Sequence, residues 1–73
     1  LTRRAIEKRI TDAGYSIAEQ TDAYTMLRSA HALLFLLPEA GSHGSRMVIL
    51  PTDASAETMN VLRREAEINF NAI

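Results

Sequence analysis

The hydrophobic positions of the first twenty residues predict a helix followed by a short strand. Within Thr2–Ala13, apolar residues recur every three or four positions, as in a helix that buries one stripe. Gly14 suits the left-handed conformation in which many helices end. Opposite charges lie four residues apart on the side predicted to be exposed, in the pairs Arg3 with Glu7 and Lys8 with Asp12. Larger side chains then alternate with small or polar ones, which predicts a strand over Tyr15–Gln20.

The segment from Thr21 to Pro38 carries two conflicting patterns. Asp22 is a suitable helix cap, and the alanine, leucine, methionine and arginine residues that follow favour a helix. Six consecutive apolar residues at 32–37 would leave such a helix without a polar face, and this favours a buried strand. We therefore predict a short helix or irregular turn over Asp22–Ala30 and a strand over His31–Leu37.

The second half of the chain predicts a hairpin and a long helix. Pro38–Ser45 is rich in glycine, proline and serine and is typical of a loop, whereas Met47–Leu50 is an apolar strand closed by proline. A helix is predicted from Thr52 or Asp53 onward, because Met59, Leu62, Ala66 and Phe70 share one helical face. Apolar and polar residues alternate over Ile68–Ala72, so this end is expected to be either a short strand or a frayed end of the helix.

These elements predict one α+β domain over residues 1–73, with a three-stranded, at least partly antiparallel sheet. The order is helix, strand, short helix or irregular segment, strand, strand and helix, and both terminal helices are expected on one face. The last two strands are apolar on both faces, as in sheets that are covered on both sides. Cover for the second face is expected from Asp22–Ala30, a second copy of the chain or another protein, and we favour a second chain. The expected interaction face consists of Leu33, Leu34, Phe35, Leu36, Met47 and Ile49.

Composition strengthens the case for association. Of the 34 hydrophobic residues in this 73-residue chain, 11 are alanine, so 23 larger side chains remain to build a core. Domains of this size are often stabilised by disulfides, a metal or a partner. The absence of cysteine excludes disulfides and thiolate chemistry, and two histidines do not form a zinc motif. We predict no catalytic residue, no metal site and no cofactor, and a homodimer or another protein as partner.

The net charge of −1 gives no general reason to expect nucleic acid or membrane binding. The longest apolar run is too short to cross a bilayer, and the basic start is not followed by the apolar segment of a signal peptide. We therefore expect no membrane partner and a cytoplasmic location.

Local charge and the hairpin loop supply a second hypothesis. The loop from Gly41 to Arg46 combines flexible amides, hydroxyls, an imidazole and a guanidinium, which are groups that bind anions, although its spacing matches no phosphate-binding loop. Basic residues on the first helix, with Arg63 and Arg64 on the last, would attract a phosphate backbone if the helices lay side by side. The candidate anion or nucleic-acid contacts are Arg3, Arg4, Lys8, Ser42, His43 and Arg46.

The order of parts resembles the HicA-type messenger-RNA endonuclease toxins, which share a helix, a glycine-aromatic pair, three strands and a final helix. The matching pieces are Ala13-Gly14-Tyr15, Glu19-Gln20, Val48–Pro51 and Val61–Ile68. Those toxins place a glycine, a serine and a catalytic histidine soon after the first strand, where this chain has Thr21–Tyr24. The resemblance implies RNA binding or cleavage, and any role for His43 would come from a later loop.

The leading hypothesis from the sequence is a small non-catalytic interaction module of regulatory, adaptor or inhibitor type. It would act by protein binding or homodimerisation through an apolar sheet face. The alternative is a nucleic-acid-binding or HicA-like RNA-cleaving domain that uses the basic first helix and the His43 loop.

Overall fold

The computed structural model describes residues 2–41 and 43–72 and shows an α+β fold, which confirms the predicted class. Its elements are α1 (Arg3–Asp12), β1 (Ser16–Gln20), β2 (Thr25–Arg28), β3 (Leu33–Pro38), β4 (Ser45–Leu50) and α2 (Ala56–Asn71). The strands form an antiparallel meander in the order β1-β2-β3-β4, so β1 and β4 are its edges. The described residues therefore contain four strands, one more than the sequence predicted.

Both helices begin at a side-chain cap. The Thr2 hydroxyl accepts a hydrogen bond from the amide of Ala5, and the Ser55 hydroxyl accepts one from the amide of Thr58. Gly14 follows α1 with a φ of +106°, a left-handed conformation that glycine adopts without strain. The second helix starts a few residues later than predicted. It continues through Asn71, so the alternating pattern near its end does not form a strand there.

Strand β2 corrects the prediction of a short helix or irregular turn over Asp22–Ala30. It pairs with β1 on one side and with β3 on the other, so hydrogen-bond ladders flank it on both sides. Leu27 at its centre is fully buried. Pairing on two sides and burial on two faces outweigh the modest helix propensity of Met26, Leu27 and Arg28, because tertiary contacts override propensity.

The helices lie on opposite faces of the sheet, which corrects the prediction that they share one face. Leu27, Leu34 and Leu36 form one cluster with Ile6 and Ile10 of α1. Their neighbours along the strands point the opposite way, because successive strand residues alternate between faces. These neighbours form a second cluster with α2, whose members include Met26, Phe35, Leu37, Leu62 and Ala66. The two sides of the sheet are called the α1 face and the α2 face below.

This arrangement explains how a chain with few large apolar residues covers an apolar sheet on both sides. Tyr24 and Phe35 pack with ring centroids 5.7 Å apart on the α2 face, and Val48, Leu50 and Met59 surround that cluster. The segment Leu34–Leu37 is therefore buried by the chain's own helices, and Leu33 is buried as well. On the α1 face the residues of β4 lie outside the cluster, and Met47 and Ile49 stay exposed there.

Candidate functional site

The edge strand β4 carries two large apolar side chains that the chain itself does not bury. Met47 is 51% exposed and Ile49 is 65% exposed. They lie opposite Leu36 and Leu34 of β3, so all four side chains share the α1 face. Leu34 and Leu36 are buried beneath α1, whereas Met47 and Ile49 extend beyond the helix.

The backbone of β4 presents hydrogen-bonding groups at the open edge of the sheet. In an antiparallel ladder, successive residues direct their N–H and C=O groups alternately toward and away from the neighbouring strand. The amide of Glu39 donates to the carbonyl of Gly44 at 3.0 Å, and this fixes the alternation along the hairpin. Arg46, Val48 and Leu50 therefore bond to β3, while Met47 and Ile49 direct their backbone groups outward.

The two edges of the sheet differ in regularity. The pairing of β1 with β2 shifts between Ile17 and Glu19, as at a β-bulge. Bulges are one of the devices by which natural edge strands avoid pairing with another chain. Strand β4 pairs with β3 in unbroken register from Ser45 to Leu50, and its one charged residue, Arg46, belongs to the α2 face. The β4 edge is therefore the more suitable one for adding a strand.

Exposed apolar residues also lie beside β4 on the α2 face. Val61 and Ile68 of α2 are 56% and 61% exposed, and with Arg64 and Glu65 they line a shallow depression of about 300 Å³. Glu65 accepts a hydrogen bond from Arg46 of β4 at 2.6 Å, which places this side of α2 next to the edge strand. We define the β4 edge surface as Met47, Ile49, Val61 and Ile68 with the outward backbone of β4.

The structure divides the interaction face predicted from the sequence. Four of its residues are buried within the chain, and two remain accessible. The buried four are Leu33, Leu34, Phe35 and Leu36, and the accessible two are Met47 and Ile49. Val61 and Ile68 were missed, although both are apolar residues outside the buried stripe of the last helix, and this signal is visible in the sequence.

The predicted anion contacts are spread over several surfaces, and most already have a protein partner. Ion pairs join Arg4 to Glu7 at 3.3 Å, Lys8 to Asp12 at 3.0 Å and Arg46 to Glu65 at 2.6 Å. The Arg3 guanidinium donates to the carbonyl oxygens of Thr21 at 2.7 Å and Asp22 at 3.0 Å. The predicted pair of Lys8 with Asp12 is thus confirmed, whereas Arg3 does not pair with Glu7. Ser42 lies outside the described residues.

Two of the predicted anion contacts, Arg3 and His43, meet at one end of the sheet. They line an open depression of about 200 Å³ that also includes Phe70. Two Arg3 N–H groups are already donated to the backbone carbonyls of Thr21 and Asp22, and the negative charge of Asp22, which also lines the depression, would repel an anion. The remaining lining residues are Thr2, Asp22, Pro38, Gly44 and Ser45.

A buried carboxylate joins α1 to the sheet. Glu7 accepts hydrogen bonds from the Thr25 hydroxyl of β2 and from Nε2 of Gln20 at 2.8 Å. Burial would raise the pKa of Glu7, but the hydrogen bonds from Thr25 and Gln20, with the nearby charge of Arg4, hold this pKa below its ordinary value. Glu7 is therefore an ionised structural residue that fixes the position of α1.

A second carboxylate joins α2 to strand β1. Glu19 accepts from Nη2 and Nε of Arg63 at 2.6 and 3.1 Å and from the Tyr24 hydroxyl at 2.6 Å. The hydrogen bonds from Arg63 and then Tyr24 lower the pKa of Glu19. Burial, followed by the contact with Glu19, raises the pKa of Tyr24. All three side chains are engaged with one another, so this cluster also links elements of the fold.

The described residues contain neither a metal-ligand set nor a buried polar side chain left unpaired. Within residues 2–41 and 43–72, His, Asp and Glu side chains do not gather in groups of three that would hold an ion. Each buried side-chain nitrogen or oxygen in the same ranges has a hydrogen-bond partner. Neither helix of this part of the chain has the length and apolar character needed to cross a membrane.

Comparisons with protein-family models, with curated proteins and with solved structures find no match to this chain. None of these comparisons supports the resemblance to HicA-type toxins. The structure departs from the order of elements in that resemblance by adding β2 directly after Thr21–Tyr24.

Proposed function

We propose that this chain is a non-catalytic protein-interaction module that binds an extended segment of a partner along β4. The observation that carries the proposal is the open edge of β4, where outward backbone groups alternate with bonded ones beside the exposed Met47 and Ile49. Strand addition at such an edge gives affinity through main-chain hydrogen bonds and specificity through alternate side chains. A regulatory, adaptor or inhibitor role is compatible with this mode of binding.

The distribution of exposed apolar side chains supports the same surface. Four of the exposed large hydrophobic residues, Met47, Ile49, Val61 and Ile68, border β4 on its two faces. Complete burial of one such side chain contributes about 1.5–3 kcal/mol, so covering even part of this set favours association. Exposed apolar groups that gather around one edge are typical of an interaction site.

The carboxylates that join the helices to the sheet support binding rather than chemistry. Glu7 and Glu19 have fully engaged carboxylates that hold α1 and α2 against the sheet. A catalytic acid or base needs access to a substrate proton, and Glu7 is buried between α1 and the sheet. Both carboxylates therefore have structural partners within the chain, whereas the outward groups of the β4 edge remain accessible.

Peptide display tests the proposal. We expect the chain, immobilised at low density, to enrich random peptides that have alternating apolar residues, because such peptides extend the sheet while covering Met47 and Ile49. Ile49→Lys should abolish this binding by placing a charge beside the added strand. Ile17→Lys is the matched control, because it changes an exposed isoleucine on the opposite edge strand, and it should retain binding.

Two results would contradict the proposal. One is equal peptide binding by the wild type and Ile49→Lys, which would place the site away from β4. The other is a chain that enriches no peptide and is also monomeric at high concentration, because its β4 edge would then bind neither a peptide nor a second chain.

A further inference from the structure

We infer that the strand added to β4 is β4 of a second copy of this chain, paired antiparallel across a two-fold axis. The result is one continuous eight-stranded sheet with α1 helices on one side and α2 helices on the other. This inference rests on the proposed function, because it names the partner for the same edge. Cyclic two-fold dimers place one surface against itself, so the edge must be self-complementary.

The alternation of backbone groups selects the register. A two-fold axis perpendicular to the sheet preserves its faces, so residues of the same face must lie opposite each other. With Val48 opposite Val48 of the second copy, each Met47 lies opposite an Ile49. Both residues direct N–H and C=O groups outward, so the two pairs exchange four hydrogen bonds.

In each of the two neighbouring registers, either Met47 or Ile49 lies opposite a less suitable residue. If Met47 lay opposite itself, Ile49 would face Ser45 of the second copy, and an apolar side chain would lose an apolar partner. If Ile49 lay opposite itself, Met47 would face Pro51, which has no N–H to donate. The register centred on Val48 is therefore the one in which both Met47 and Ile49 lie opposite an apolar residue that can also exchange two backbone hydrogen bonds.

Side-chain chemistry agrees with this register. The α1 face gains a cluster of two Met47 and two Ile49 side chains, in directly opposite pairs whose Cβ atoms lie about 4.5–5.5 Å apart. Arg46 falls opposite Leu50 of the second copy, so the two arginines do not face each other. Each Arg46 is also held by Glu65 of its own chain at 2.6 Å, which balances its charge at the interface.

The helices leave room for the pairing. Leu62 and Ala66 of α2 pack against residues centred on β3, and α1 packs against β2 and β3. In the paired sheet the two β3 strands are three strand spacings apart, about 14 Å. Packed helices lie 8–10 Å apart, so the α2 backbones do not collide and their outward side chains, such as Val61 and Ile68, approach one another.

Single cysteine substitutions read the register directly, because the natural chain has no cysteine. The two copies of residue 48 form a non-hydrogen-bonded pair with Cα atoms about 4.5 Å apart, within the range of a disulfide. We expect Val48→Cys to form a covalent dimer on mild oxidation. Met47→Cys and Ile49→Cys place their like residues diagonally, at about 7–8 Å, and should cross-link poorly.

Each pattern of cross-linking has a defined meaning. Cross-linking of Val48→Cys alone supports the inferred register, whereas cross-linking of Met47→Cys alone or Ile49→Cys alone overturns it in favour of a neighbouring one. If none of the three cross-links while their circular dichroism shows folded protein, pairing of β4 with itself is wrong. The circular dichroism spectra of the three variants also show whether a variant that fails to cross-link is still folded.

Light scattering after size exclusion separates this inference from the proposed function. We expect the wild type at high concentration to show twice the monomer mass of 8.1 kDa, and Ile17→Lys to do the same. Ile49→Lys and Ile49→Pro should both be monomeric. A wild-type monomer that still binds displayed peptides through β4 would overturn the second copy as partner and keep the proposed function. A monomer that binds no peptide would overturn both.

Discussion

At the scale of single residues, Glu7 shows how one buried charge is accommodated in a small core. It is 4% exposed and belongs to α1, yet it faces the Thr25 hydroxyl on the sheet. The sequence suggested a solvent-exposed pair with Arg3, because helical spacing shows which residues share a side but not which polar group the sheet offers. Thr25, a polar residue in the buried part of β2, is that group.

Replacement of Glu7 should cost more stability than replacement of an exposed carboxylate on the same helix. Glu7→Ala leaves the buried Thr25 hydroxyl without its acceptor, and we expect a loss of about 1–3 kcal/mol in the free energy of unfolding. Asp12→Ala removes the exposed ion pair with Lys8 and should cost about 0.5 kcal/mol or less. Urea denaturation at neutral pH measures both, and equal losses would contradict the structural role of Glu7.

Acid should destabilise the fold through Glu7 and Glu19. Both have folded-state pKa values below the ordinary 4.5, so as the pH falls the unfolded chain binds protons before the folded chain does. The free energy of unfolding should therefore be level above about pH 6 and decrease as the pH falls through about 4.5. Urea denaturation at a series of pH values measures this decrease. Glu7→Gln should make it shallower, and an unchanged slope in that variant would contradict the assignment.

At the scale of secondary-structure elements, the sequence correctly predicted the helices and strands whose boundaries are marked by local residue patterns. Helix α1 and strands β1, β3 and β4 lie close to their predicted positions, because periodic apolar residues, glycine and proline mark their boundaries. Strand β2 was missed, because its four residues have helix-forming side chains and become a strand only between β1 and β3. The placement of the helices on opposite faces was missed as well, because alternate residues of β2 and β3 supply one cluster on each face and β2 was not predicted.

Proline scanning of β4 should distinguish its inward from its outward backbone groups. Val48→Pro removes an N–H that bonds to β3, and we expect a loss of about 1–3 kcal/mol or more. Ile49→Pro removes an N–H that points to solvent in the monomer, and the loss should be clearly smaller. Urea denaturation of both variants at one dilute concentration, where both are monomeric by light scattering, measures the difference. A larger loss for Ile49→Pro would show that the assigned alternation is inverted.

At the scale of the whole molecule, the sheet of this short chain lies between two small hydrophobic cores, one on each of its faces. Each face of β3 is covered by a different helix, so the apolar run that suggested an external partner is satisfied internally. Two helices do not cover both edges of a four-stranded sheet, and on the α1 face of β4 the side chains of Met47 and Ile49 stay exposed. The hypothesis of association drawn from the sequence is therefore confined to Met47 and Ile49, which the sequence could not separate from the buried Leu34 and Leu36.

The charge distribution of the folded chain bears on the alternative of nucleic-acid binding. Arg4, Lys8 and Arg46 each pair with a carboxylate, and the net charge is −1. A phosphate backbone would have to displace those carboxylates, so few counterions would be released per basic side chain. In fluorescence anisotropy with single-stranded RNA, we therefore expect no binding of the salt-sensitive kind, in which the affinity decreases steeply from low to moderate salt.

A variant with two neutralised carboxylates provides the matched control. Asp12→Asn with Glu65→Gln frees Lys8 and Arg46 and changes the net charge from −1 to +1, so this chain should gain weak, salt-sensitive RNA affinity. Steep salt dependence in the wild type would instead favour the nucleic-acid alternative. RNA cleavage that is lost in His43→Ala would assign chemistry to the hairpin loop. The combination expected here, binding at β4 without RNA affinity, would establish that the uncovered edge rather than the basic residues determines the partner.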